Sequence, residues 1–159
     1  MSLQSPVNSD HQLVRLLQIG VVLEEVVEAR AAKHAAEAED IDDEVRLFLE
    51  EAAVESADHR ERIEELVDEL DAKTIGFDEI QRLVEEKYDA GGEFDGVLYD
   101  QLCNEETAYK FYDDLIEAIE GADVEFSIDR ERLLSELRAI RGQEEAGVEE
   151  VTTLMEKRG

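Results

Sequence analysis

The chain has 159 residues and 18.0 kDa, the length of one domain, and carries 16 basic against 44 acidic residues for a formal charge of −28. That balance excludes binding to nucleic acid or to an anionic membrane surface by charge attraction, because both require a basic face. It does not exclude a core: Leu, Ile, Val and Phe make up 45 residues, about 28 percent, where disordered chains fall below about 20 percent.

Only five of the basic residues are Lys, at 33, 73, 87, 110 and 157. A self-repelling surface of this kind is destabilising in dilute buffer and is relieved at molar salt, where the Debye length is about 3 Å. A Lys-poor, Asp- and Glu-rich surface resembles the proteins of salt-in halophilic archaea. The single cysteine, Cys103, excludes an intramolecular disulfide framework, a cysteine-based zinc knuckle and a rubredoxin-like electron-transfer centre, and reads as a small core residue. No signal peptide and no run of 18 apolar residues is present, so the expected location is cytoplasmic. Residues 1–10 hold the only proline, Pro6, and read as a flexible leader before a domain at 11–159.

The periodicities that follow are helical. A first helix is expected from about His11 to Ala38, with Leu13, Leu16, Leu17, Val21, Val27 and Ala31 on one face. Val14, Ile19, Val22, Leu23 and Val26 extend its apolar surface around the cylinder, which predicts a homodimer or larger homo-oligomer covering the Val14, Ile19, Val22, Val26 side. Asp40 to Asp43 reads as a turn and N-cap. The second helix runs from about Asp43 to Ala72 on a stripe of Val45, Phe48, Leu49, Ala52, His59, Ile63, Leu66 and Leu70. A short helix is expected over 77–88, ended by Ala90-Gly91-Gly92. The third long helix spans about Phe94 to Glu120, with Leu98, Leu102, Tyr109, Tyr112, Ile116 and Ile119 as its stripe and Gly121 as its C-cap. Ser127 or Asp129 caps the fourth, whose stripe is Leu133, Leu137, Ile140, Val148, Val151 and Leu154. The fold class is all-α: a four-helix bundle with a long connection between helices two and three.

Cofactor sites in such bundles are built from polar side chains that interrupt the core stripes. Glu24 follows Leu13, Leu17 and Val21 on the first stripe. His59 lies seven residues from both Ala52 and Leu66, with Glu55 one turn earlier. Glu105 stands between Leu102 and Tyr109, and Glu144 between Ile140 and Val148. Glu is 29 of the 159 residues, so one such placement has little weight; similar depth on four helices has more, because carboxylates are costly to bury unpaired. A metal pair, a single metal or a metal-free polar network would each remove that cost. Elsewhere, Asp89-Ala-Gly-Gly-Glu-Phe-Asp95-Gly lacks the alternating acids of a calcium loop, and Gly91-Gly92 has no preceding strand or basic partner for a phosphate.

The segment from Glu24 to His34-Ala35, with its Glu ten residues before a His-Ala, resembles the first helix of ferritin-like proteins. Glu105-Glu-Thr-Ala-Tyr-Lys-Phe-Tyr112 is similar to the rubrerythrin-type Glu-x-x-Ala-x-x-Phe-Tyr helix, and the resemblance spans most of residues 11–157. Such families place one Glu on each of two helices and a Glu-x-x-His on each of the other two. The resemblance implies Glu24 and Glu105 as the single ligands, with His59 and Glu144 in the paired motifs and Glu55 beside the first of them. It also implies that Tyr109 or Tyr112 lines the pocket. Two departures stand out: Ser56 takes the place of the Glu before His59, and Gly147 that of the His after Glu144. The implied function is iron or oxidant handling, ferroxidase or peroxidase in type, at a di-iron or single-metal centre. The alternative is a metal-free bundle that works by oligomerisation or partner binding.

Overall fold

A computed structural model describes residues 7–39, 41–72, 74 and 96–158. Its described residues form four α-helices: α1 (Asp10–Glu37), α2 (Asp43–Glu69), α3 (Val97–Glu120) and α4 (Arg130–Arg158). Three of the helix starts are fixed by side-chain caps of the kind the sequence offers. Ser9 Oγ accepts from Gln12 N at 3.2 Å, Asp42 Oδ1 from Val45 N at 3.0 Å, and Asp129 Oδ2 from Arg132 N at 3.1 Å. Asp129, not Ser127, is therefore the cap of α4. The short helix expected over 77–88 lies outside the described residues.

Each helix runs antiparallel to its neighbours. Val7 N donates to Ala118 O at 3.1 Å, which brings the start of α1 to the end of α3, while Arg30 and Asp100 join the opposite ends of the same two helices. Likewise Arg158 meets Asp42 and Glu44, and Arg132 meets Glu69, so α4 runs against α2. The end of α2 and the start of α3 thus lie at opposite ends of the bundle. Val7, within the expected leader, is buried and hydrogen-bonded to the end of α3.

The main core joins Leu13, Leu17 and Val21 of α1 to Ile63 and Leu66 of α2, Leu115, Ile116 and Ile119 of α3, and Leu133, Leu137 and Ile140 of α4. A smaller cluster around Val45, Phe48, Leu49, Val151 and Leu154 closes the other end. Val14 and Val22 are buried in the main core, with Ile19 and Val26 packed against it. Of the α1 face expected to meet a second copy, Val14 and Val22 are thus covered within one chain, while Ile19 and Val26 are partly buried. The first half of α3 also departs from expectation. Its buried face carries Asp100, Gln101, Asn104 and Glu105, while Leu98, Leu102 and Tyr109 are only partly buried. Polar side chains turn inward there because each has a dedicated partner. Cys103 is half-buried rather than in the core. Among the described residues no helix is long and apolar enough to cross a membrane.

Candidate metal centre

Between the two apolar clusters lies a polar layer to which all four helices contribute. His59 of α2 and Glu24 of α1 are fully buried, and Glu144 of α4 and Glu105 of α3 are 3% and 5% exposed. Helical spacing places them there. Glu24 continues the α1 row that holds Leu13, Leu17 and Val21, and His59 occupies the α2 row that holds Ala52, Ile63 and Leu66.

His59 Nδ1 lies 3.0 Å from Glu144 Oε1 and 3.5 Å from Glu24 Oε1. One ligand atom from each of Glu24, His59 and Glu144 falls within 4.8 Å of the others. Tyr112 donates its hydroxyl to Glu24 Oε1 at 2.6 Å, whereas Glu24 Oε2 is buried with no hydrogen-bond partner. Gln101 Nε2 donates to Glu105 Oε1 at 2.8 Å, and Glu105 in turn bonds Glu144. Of the five residues singled out in the sequence, four converge. Glu55 does not join them: its side chain is 41% exposed, with Oε1 3.9 Å from His59 Nε2, and it stands at the rim.

The electrostatics follow from crowding acids away from water. Burial first, then the neighbouring carboxylates of Glu24 and Glu105, hold Glu144 well above the usual carboxylate range. Burial also raises Glu105, although bonds from Glu144 and Gln101 pull it partway back. Glu55 is raised by burial against the opposing charge of His59. For His59 burial acts downward, but the bonded Glu24 carboxylate and the Gln143 carbonyl outweigh it, so the imidazole is raised. Burial and the Glu24 charge lift the Tyr112 phenol well above its ordinary value. Burial thus favours the proton-bearing forms of Glu105 and Glu144, and protons on these groups are what a metal cation would displace.

The two departures from the ferritin-like pattern have structural counterparts. Ser56 is buried one turn before His59 and supplies no carboxylate. At Gly147 the Glu105 carboxylate fills the space: a Cβ there would sit 2.5 Å from Glu105 Oε2. A side chain at 147 and the present position of Glu105 exclude each other. Beside this contact a cleft of about 130 Å³ opens to the surface between α2 and α4. Its described lining includes the carboxylates of Glu51, Glu55, Glu105 and Glu150 and no Lys or Arg.

Three contributors were not assigned from sequence: Gln101, Gln143 and Arg62. Gln143 Oε1 lies 3.0 Å from His59 Nε2, and Arg62 Nη1 donates to that same oxygen at 3.0 Å. Gln143 stands on the exposed side of α4, outside the apolar stripe, so periodicity gave no signal for it. The chain matches no protein-family model, no curated protein and no solved structure.

Proposed function

We propose that the protein binds a divalent transition-metal ion of the iron class at Glu24, His59 and Glu144, and acts in iron or oxidant handling as a divergent ferritin-like bundle. The observation that carries this reading is the orphaned, fully buried Glu24 Oε2 beside a converging imidazole and second carboxylate. A carboxylate oxygen left unpaired away from water costs free energy that a cation recovers. One imidazole with carboxylates is a donor set suited to iron, and the described cluster contains no thiolate that would favour a softer ion. Glu105, bonded to Glu144, is placed to give up or take a proton as the charge of the layer changes. Tyr112 holds Glu24 Oε1 in place, and the acidic cleft over Gly147 favours the approach of cations. Bound iron would supply one-electron chemistry toward oxygen or peroxide. The acidic surface fits a protein that works in molar salt.

The competing reading is a metal-free polar layer, favoured by the bond between Glu105 and Glu144 and by the partners on both ring nitrogens of His59. Anaerobic titration with ferrous iron in molar potassium chloride separates the two. The metal reading expects saturation at one equivalent per chain, an absorbance change on admitting oxygen, and loss of both in His59→Ala with the helices retained. Absence of saturable binding to the wild-type protein would leave the metal-free layer as the function-neutral account.

A further inference from the structure

The contacts outside the layer determine which nitrogen of His59 faces it. Arg62 is held on α2 by its ion pair with Glu136 and by Asp58 Oδ2 at 3.5 Å, and it extends Nη1 to Gln143 Oε1 at 3.0 Å. A guanidinium can only donate, so the Gln143 atom that faces it has to be the carbonyl oxygen, not the amide nitrogen. That same oxygen faces His59 Nε2 at 3.0 Å. An oxygen acceptor requires a hydrogen on Nε2, which leaves Nδ1 as the nitrogen turned toward Glu144 and Glu24. We propose that Arg62 and Gln143 form a relay that pins a hydrogen on Nε2 of His59 and so presents Nδ1 to the carboxylates as the ligating atom.

The relay opposes a local preference. Beside the Glu24 carboxylate, a free imidazole would place its hydrogen on Nδ1 and leave no lone pair for a cation. Fixing the outer nitrogen from a surface arginine reverses that choice without adding a charge to the core. Gln143 and Arg62 are positioning residues: the reading rests on the metal proposal for the value of Nδ1, but the hydrogen on Nε2 is a property of the protein alone.

The test uses full-length protein labelled with ¹⁵N, whose three histidines keep the ring spectrum simple. At neutral pH the wild-type Nε2 of His59 is expected to carry a slowly exchanging hydrogen, and added zinc is expected to ligate Nδ1. Gln143→Leu and Arg62→Met should both lose the slow exchange and bind zinc about 10- to 100-fold more weakly, the usual effect of removing a ligand's outer partner. Gln143→Glu, which keeps an acceptor, should retain both. Circular dichroism checks that each variant folds. A wild-type Nε2 without a hydrogen, zinc ligated through Nε2, or unchanged exchange and affinity in both disrupting variants would overturn the relay. Wild-type protein that takes up no zinc would end the metal reading, and the exchange measurement would then decide the relay by itself.

Discussion

His34 and His59 each lie against a buried carboxylate, one near the end of the bundle and the other in its middle. At the end, Asp100 accepts from Arg30 Nη2 at 2.9 Å and Nε at 3.3 Å, and lies 2.7 Å from His34 Nε2. The guanidinium matches that carboxylate charge for charge, and the Arg30 and His34 side chains both keep contact with water. In the middle, Glu24, Glu105 and Glu144 share a single imidazole, and one carboxylate oxygen has no partner. The same residue types therefore make a closed tie between α1 and α3 in one place and an underneutralised layer in the other. A buried acid becomes a ligand candidate when the protein has not supplied enough cations or donors, not merely because a histidine stands beside it.

Amide substitutions offer the sharpest way to break that contrast. Asp100→Asn should cost roughly 2 kcal/mol in denaturant unfolding, because it removes one member of a complete charge pair and leaves Arg30 facing a neutral group. Glu144→Gln should change the stability of metal-free protein by less than about 1 kcal/mol, since it imitates the neutral carboxyl form that burial favours. Equal losses at the two positions would erase the distinction between tie and layer.

Two glycines on α4 give a smaller but cleaner pair. Gly142 has nothing within 4 Å of a built Cβ, so Gly142→Ala should stabilise the helix by up to about 1 kcal/mol. Gly147→Ala should forfeit that gain and lose roughly 1 kcal/mol net, because the new methyl displaces the Glu105 carboxylate. Thermal melts of both variants in molar salt decide it. A stabilising Gly147→Ala would mean that Glu105 relaxes freely and is not held in the layer.

The pH dependence is the gentlest probe. Glu105 and Glu144 are raised above the ordinary 4.5, and His59 above 6.5. A raised folded pKa stabilises fully below the unfolded value, and that contribution is lost as pH rises through the folded value. The layer should therefore weaken the metal-free protein progressively above pH 4.5 through its carboxyl groups and above pH 6.5 through His59. Exposed pairs run the other way: Arg158 holds Glu44 low and Arg132 holds Glu69 low, so acidification removes their small contributions. Chelator-treated protein should melt lower at pH 8 than at pH 5, and saturating zinc should flatten that slope. A melting temperature that climbs across this range would contradict the raised values in the layer.

The sequence carried much of this arrangement, and its gaps have physical causes. Glu24, His59 and Glu144 were legible because each interrupts an apolar row at helical spacing, and buried rows are regular. The caps at Asp42 and Asp129 were legible because capping is local. The inward face of α3 was not, because periodicity assigns apolar residues to the core. What turns Asp100 inward is the guanidinium of Arg30, 70 residues away in the chain. Tyr112 was recognisable as a stripe residue, but its bond to Glu24 spans 88 residues. Glu55 was placed one position too deep, since a residue adjacent to the stripe turns to the rim. Gly147 read as a lost ligand, whereas in the fold it makes room for a carboxylate from another helix.

That last feature gives the layer one compliant wall. At 147 the Glu105 carboxylate lies where a side chain would otherwise stand, 2.5 Å from the place of a Cβ. The position of the Glu105 carboxylate can therefore be changed from outside the layer, by the size and polarity of what is grafted at that single position, while Glu24, His59 and Glu144 remain untouched. Position 147 is a natural handle for redesign of the layer.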